Sequence, residues 1–516
     1  MKLKFKYPLY LLCILLNLSC TPEKEAIRIG VEKSPLTIKH LPGMNVVGKV
    51  TVDGKVRAGV VVSDGVNVVA TDEKGEYQMR SVNRQHIFVS VPEDCAIPVH
   101  NGMPKIYKTL QFEDDAVIQV DFELQSQPKA SSFKLLTLAD VQIGDAIDLT
   151  MLSQEIIENI KTHAQSLEGP VWGISLGDIV WNSPQLYGDY ITQINRIGVP
   201  TFPVIGNHDH NDKFKNDIES DKDFRDALGP TYYSCNIGDW HLVVLDDVFY
   251  RGVKDRNDYS GLITQQQLEW LKKDLKYVDK NKSILVGLHI PTLRRNSTSK
   301  LDNNQALYDL LKDFHRIEIL SGHQHNNFST NIAPNIRETT FGAVMGAFWN
   351  GKLCNDGSPR GFAVLTFKGN ELSDKYYMGS ETPRDHQIKI YQPNEASFRW
   401  GRIEETISSP DDARPLLIDN ENILINVFCW HTDWTVELKE DDAEWITLTQ
   451  NIKTLDPEAV KTLHYRNSWE KRPSAEPAGE NDHMFLYKPS QASWKTITVR
   501  ATDPFGNVYT ATTHHQ

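Results

Sequence analysis

Five apolar runs, each stopping on the kinds of side chain that bind metals, constrain this chain more than anything else in it. Leu135-Leu136-Thr137-Leu138-Ala139 ends in Asp140-Val141-Gln142, and Val171-Trp172-Gly173-Ile174-Ser175-Leu176 ends in Gly177-Asp178. Thr201-Phe202-Pro203-Val204-Ile205 ends in Gly206-Asn207-His208-Asp209-His210. Ile284-Leu285-Val286-Gly287-Leu288 ends in His289, and Ile317-Glu318-Ile319-Leu320 ends in Ser321-Gly322-His323-Gln324-His325. Short apolar runs bounded by Gly and polar residues read as buried strands, and open α/β sheets place their ligands at the carboxyl ends of such strands. Carboxylate, amide oxygen and imidazole drawn from several strands suit two borderline divalent cations such as Mn, Fe or Zn better than Ca or Mg. In the third cluster Gly206 allows a sharp turn, Asn207 offers a neutral oxygen, and His208 beside Asp209 reads as a proton donor with its own orienting carboxylate.

At 516 residues the chain is too long for one core and predicts about three domains of roughly 150 residues. The formal charge of −13 makes a nucleic acid a poor default partner, because phosphate binding wants a basic face. Residues 1–20 read as a targeting segment: Lys2, Lys4 and Lys6 precede an apolar run from Tyr7 to Leu18 that is too short to span a bilayer, and Ser19-Cys20 closes it. Ser19-Cys20 resembles the lipobox of bacterial lipoproteins, with Asn17 where that motif prefers an aliphatic residue. Lipidation at Cys20 is therefore expected, on an exported protein held to a membrane only by that anchor, with residues 21–43 as tether. Cys95, Cys235, Cys354 and Cys429 are widely spaced with no Cys-x-x-Cys, which excludes a zinc finger or thioredoxin-type site; four buried free thiols are expected.

From 44 to 126, alternating Val50, Val52, Val60, Val62, Val66 and Val68 with Asp53-Gly54, Asp64-Gly65 and Lys74-Gly75 turns predict an N-terminal β-sandwich. Thr71–Tyr77 resembles a turn and strand of transthyretin-like modules, and a spacer or docking role is expected. Over 131–380 strands alternate with helical stretches, predicting an α/β layered domain; Thr264 with Gln267 forms a capping box ahead of Leu268, Leu271, Leu275 and Val278 on one face. The polar stretch between Asp246 and Ser260 reads as a loop at the rim of the site. Over 385–516, Trp- and Thr-rich short strands predict a C-terminal β domain, with Asp503-Pro504-Phe505-Gly506-Asn507 as a hairpin turn. Gly173-Ile174-Ser175-Leu176-Gly177 matches the esterase pattern, but Ser175 lies inside a strand and Pro184 interrupts any immediate helix, so a serine hydrolase is not favoured. A phosphate loop ending in Gly-Lys-Ser/Thr is absent.

Taken together, Asp140-x-Gln142, Gly177-Asp178, Gly206-Asn207-His208-Asp209, His289 and Gly322-His323-x-His325 resemble the five ordered motifs of calcineurin-like metallophosphoesterases. The flanking domains, with Gly357–Gly361 and Thr502–Asn507, resemble the bacterial exported branch that carries N- and C-terminal domains. The resemblance implies a central metallophosphoesterase β-sandwich flanked by helices. It implies that Asp178 bridges two metals, that Asp140 and His325 hold the first with Gln142 at its edge, and that Asn207, His289 and His323 hold the second. It further implies a metal-bridging hydroxide attacking a phosphate mono- or diester, with His208, held by Asp209, protonating the leaving alkoxide. Two departures stand out: Gln142 replaces the usual His, and Trp181-Asn182 stand where the second motif often continues to a further Asp.

The expected substrate is a small-molecule, lipid or sugar phosphate ester. Its recognition falls to rim residues, with Arg360 first, then Tyr250 and Arg251, and with Asn182, Arg294 and Trp349 as further candidates. The competing reading is a catalytically inactive surface lipoprotein that binds glycans or protein partners through its β domains.

Overall fold

The computed structural model describes residues 33–81, 85–110, 116–293, 300–347, 352–392, 421–464 and 479–515. The leader, most of the tether, Arg294 and Trp349 lie outside the described residues.

The centre of the molecule is a pair of sheets packed face to face. The first has five strands in the order Thr201–Val204, Val171–Leu176, Ser132–Leu138, Gly361–Lys368 and Glu371–Gly379. Its first three strands run parallel and the last two antiparallel. Pro203, which cannot donate to a ladder, sits on the edge strand. The second sheet has six strands in the order Tyr233–Ile237, Trp240–Val244, Ser283–Gly287, Ile317–Ser321, Ile336–Thr340 and Phe328–Ala333. The central strands of both are buried on both faces, between the sheets and under the flanking elements, which explains why their sequences are continuous apolar runs rather than alternating ones. The faces meet so tightly that a Cβ on Gly287 would stand 2.5 Å from Ile174 Cδ1 of the opposite sheet.

Helices cover the outer face of the five-stranded sheet. The segment Ala146–Gln165 starts on Asp145, whose carboxylate accepts from the Ile147 and Asp148 N–H groups, and passes through a π turn at Leu152–Ile156. Tyr187–Ile197 buries Tyr187, Tyr190, Ile194 and Ile197 on one face and ends at Gly198, whose φ is +78°. Helix Gln265–Asp274 is capped by Thr264, as the sequence predicts. The reciprocal half of the capping box does not form. Gln267 instead donates to the Asp246 carbonyl and accepts from its N–H, fastening this helix to the six-stranded sheet just beyond strand Trp240–Val244.

Two larger N-terminal sheets, with a small hairpin of Val99–His100 and Met103–Pro104 beside them, enclose Val46, Val50, Val62, Ile87 and Val89, the expected β-sandwich. It packs onto the central unit through Trp270 Nε1 to Ser63, Tyr232 to the Gly65 carbonyl and Asn236 to Val91. Beyond residue 385 two further four-stranded sheets enclose Ile425, Val427, Val436, Phe485, Val499 and Trp494. Asp503 caps the Thr496–Thr502/Val508–His514 turn by accepting from the Phe505 and Asn507 N–H groups. A helix at Pro457–His464, which the short-strand pattern does not announce, sits between two of these strands. Cys95, Cys235, Cys354 and Cys429 are free thiols, the first three buried as expected and Cys429 half-buried. No helix among the described residues is long and apolar enough to cross a membrane.

Candidate metal centre

The carboxyl ends of Ser132–Leu138, Val171–Leu176 and Thr201–Val204 in one sheet, and of Ser283–Gly287 and Ile317–Ser321 in the other, open onto a common point. There Asp178, His289 and His323 bring one ligand atom each to within 4.8 Å of one another. His289 Nδ1 stands 2.8 Å from the Leu176 carbonyl, so that nitrogen carries its hydrogen. Its Nε2 therefore turns toward Asp178 Oδ1 at 3.3 Å, Asn207 Oδ1 at 3.0 Å and His323 Nδ1 at 3.2 Å. Of those neighbours only His323 can offer a hydrogen, so electron-rich atoms crowd a buried point that calls for a positive charge.

A proton meets that demand in the protein alone. Burial opposes a charge on His289, yet Asp178, Asp140 and Asp247 together hold its imidazolium up to about 10. The Asp178 carboxyl is pushed up by burial and pulled further down by His289, His208 and His323, ending well below the usual range. A divalent cation displaces such a proton and takes over its role, which is how metal sites couple to pKa. Beside this cluster, His325 Nε2 lies 3.4 Å from Asp140 Oδ1, and the Asp140 oxygens accept the His323 N–H at 3.1 and 2.9 Å. Gln142 Nε2 donates to Asp178 Oδ2 at 3.1 Å. The structure thus brings together all seven residues proposed as ligands, and their donor chemistry fits divalent cations.

Backbone geometry shows how much the fold pays to do this. Asp140, Gln142, Asp178, His323 and His325 all have left-handed φ, between +47° and +68°, as does Asn182 at +52°. That conformation costs L-residues of this kind roughly 1–2 kcal/mol each and persists only where surroundings over-determine it. Close approach excludes side chains next to the ligands. A Cβ on Gly177 would stand 2.4 Å from His289 Nδ1, and one on Gly206 2.1 Å from the Asp178 nitrogen.

The His208 imidazole reaches the same point, with Nε2 4.0 Å from Asp178 Oδ2. Its partner is not the one the sequence suggests. Asp209 turns away and accepts from the N–H groups of Gly206, Ile179 and Val180 and from Tyr187 Oη, so it locks the loop rather than the ring. The ring is held by Asn182, whose Oδ1 lies 3.1 Å from His208 Nδ1, and by Trp181, stacked with centroids 3.6 Å apart. These are the two residues that replace the further Asp of the second motif. Burial pushes His208 down to about 4, with His289, His325 and Arg256 adding to the effect against Asp178. Burial and Asp178 push Asp209 up to about 7 against those three N–H groups.

The three rim residues favoured from sequence are corrected. Arg360 is 2% exposed, and its guanidinium is held by Glu155 at 2.6 Å and Glu381 at 2.9 Å, leaving nothing for a phosphate. Tyr250 is 1% exposed and lies parallel to His210 at 5.0 Å. Arg251 is occupied by Asp258 and Ser260. The stretch expected as an irregular loop is a hairpin, Val248–Tyr250 against Tyr259–Gly261. Asp247, at its base, accepts from the His289 and Ile290 N–H groups, and Tyr259 packs edge-on to His323 at 6.3 Å. Arg256 is exposed on that hairpin and makes no ion pair among the described residues. Nothing in the sequence separates it from Arg251 except an i, i+7 carboxylate that only the hairpin brings into register.

A buried carboxylate–imidazole cluster at the strand ends of a two-sheet α/β sandwich has the layout of a metal-binding site. Residues 133–327 match the family model of calcineurin-like phosphoesterases, residues 44–127 that of their N-terminal domain and residues 338–509 that of their C-terminal domain. The chain belongs to this family, and is a metal-dependent phosphoesterase in the general sense. Solved structures of similar fold include a dimetal phosphatase from Danio rerio (14% identity, 48% of this chain and 99% of that one, TM-score 0.35). A purple acid phosphatase from yellow lupin seeds (14%, 63% and 67%, 0.36) and a 5'-nucleotidase precursor from Thermus thermophilus (10%, 74% and 89%, 0.29) are also similar. A search of the curated proteins finds no match.

Proposed function

We propose that this chain hydrolyses a phosphate mono- or diester using two divalent cations of the Mn, Fe or Zn type. Asp140 and His325, with Gln142 beside them, would hold one, and Asn207, His289 and His323 the other, with Asp178 shared. When bound, such cations supply the Lewis acidity that makes water a nucleophile at neutral pH and neutralise charge on the phosphoryl oxygens. The observation that carries the reading is His289 Nε2, turned with the Asp178 and Asn207 oxygens toward one buried point that calls for a positive charge.

The chain's own residues supply the rest. With the Asn182 oxygen facing Nδ1, the His208 ring keeps its hydrogen there and presents Nε2 as the atom that takes up and gives a proton. At neutral pH the free imidazole is uncharged, and the negative charge of a bound ester is what raises it toward protonation. Arg256 stands free to meet an anionic part of the substrate at the rim.

We place the reaction on the exported side of a bacterial cell, in a chain lipidated at Cys20; this rests on the leader sequence. The test is a screen of phosphate monoesters, diesters and pyrophosphates with protein loaded with Mn, Fe or Zn. Turnover with two metals per chain is expected. A protein that binds no metal and cleaves none of these esters would instead be the non-catalytic surface lipoprotein.

A further inference from the structure

The loop that carries His323 and His325 has two left-handed residues within three positions, so something outside it must hold it. Its leading half is tied to the centre itself, through the His323 N–H on Asp140 and the Gly322 N–H on the His289 carbonyl. Its trailing half is held by a different segment, 355–358. The Asn355 N–H donates to the His325 carbonyl at 3.1 Å, and Asn355 Nδ2 to the Gln324 carbonyl at 3.0 Å. The Asn327 N–H donates to Asp356 Oδ2 at 2.7 Å, and Asn327 Nδ2 to Ser358 Oγ at 2.9 Å.

Segment 355–358 is in turn gripped from its far side by the C-terminal sheet of Ile423–Val427 and Asn481–Tyr487. The Asp356 carbonyl accepts from Asn426 Nδ2 at 3.0 Å and Asn481 Nδ2 at 3.1 Å. His483 presents Nε2 to Asp356 Oδ2 at 3.4 Å while its Nδ1 pairs with Asn426 Oδ1 at 2.7 Å. Asp356 and Asn426 are fully buried, and His483 is 1% exposed. Gly357 lies with φ +84° so close that a Cβ would stand 2.1 Å from Asp456 Cγ, a residue Asn426 also binds. Polar groups this deeply buried are costly unless bonded, and here the Asn426 and Asn481 amides spend bonds on the segment that holds the imidazole-bearing loop.

We propose that the C-terminal module is a working part of the metal centre, with Asp356 as the positioning residue. Through it His483, Asn426 and Asn481 fix the backbone that aims His323 and His325. The inference rests on the dimetal reading above, and metal affinity separates the two. Outer partners that orient ligands change metal affinity about 10- to 100-fold when removed.

Full-length parent, His483→Leu, His483→Gln and Asn481→Ala are titrated with Co2+ against a chelator and followed by visible absorption. Val436→Ala serves as the control; it removes core volume from the other C-terminal sheet without touching segment 355–358. The parent is expected to take two equivalents, and His483→Leu and Asn481→Ala to bind Co2+ about tenfold or more weakly. His483→Gln should recover part of the loss, and the control should lose thermal stability while keeping parental affinity. Should His483→Leu not fold, Asn481→Ala carries the test. Parental affinity in the His483 and Asn481 variants, or an equal loss in the control, overturns the inference. A parent that takes no Co2+ overturns the dimetal reading as well.

Discussion

Two loops do the same job in this site by opposite means. The Asn207–Asp209 loop is held from within. Asp209 sits two residues from the ligand Asn207 and closes on N–H groups of its own loop and of the neighbouring strand end. The His323–His325 loop is held from outside, by segment 355–358 and behind it the C-terminal sheet of Ile423–Val427 and Asn481–Tyr487. Only the second keeps its imidazoles on left-handed backbone, His323 at φ +68° and His325 at +50°. A local clamp survives any change elsewhere in the molecule; a remote one makes the centre depend on how the modules dock.

The largest test of that contrast acts on the residue both loops share. Asp178→Asn should lower occupancy at both cations and abolish measurable turnover; metal analysis showing two full equivalents would end its role as the shared ligand. Next in size, His208→Ala should keep its metals while turnover falls roughly 10²- to 10⁴-fold, the range for a lost acid–base group, and unchanged steady-state rates would remove it from the reaction.

Asp209 and Asn182 then separate loop clamp from ring partner. Asp209→Asn should cost about 1–3 kcal/mol in urea unfolding, since one of the two oxygens that accept from buried donors becomes an amide nitrogen. Asn182→Ala should leave stability nearly unchanged and reduce turnover about tenfold, at the low end for a misaligned acid–base group. The reverse pattern would restore Asp209 as the orienter.

Smaller still, Arg256→Ala should raise KM several-fold without a matching fall in kcat, as expected for about 1 kcal/mol of lost anion binding at an exposed position. Arg360→Lys should leave KM alone and lower the melting temperature.

A pH effect sharpens the comparison on the other wall. Glu338 accepts from the Thr292 and Leu293 N–H groups and from the Thr292 and Ser321 hydroxyls, holding the segment after His289. Burial pushes its carboxyl up to about 7 against those donors. The folded state therefore keeps a proton that the unfolded chain releases near 4.5, so stability contributed below that pH is lost as pH rises toward 7. Glu338→Gln should flatten this slope in thermal melts across that window, and parallel curves for parent and variant would contradict it.

Sequence alone determined the strand ends and the kinds of atom they carry. Buried parallel strands must be apolar throughout, so their limits are written in hydrophobicity, and a polar residue directly after such a run has only the strand end to occupy. Val171–Leu176 begins and ends where the pattern says, and the other four runs differ by a few residues. Arg360, Arg251, Asp209 and Asn182 were decided by the tertiary structure. Charge and hydrogen-bonding capacity belong to a residue, but which partner uses them up depends on groups brought close by folding: Glu155 and Glu381 for Arg360, Asp258 for Arg251, and backbone N–H groups for Asp209. The link from His483 to the His325 loop is likewise invisible along the chain, because it passes through Asp356, more than a hundred residues before His483, and a contact at that separation leaves no periodicity to read.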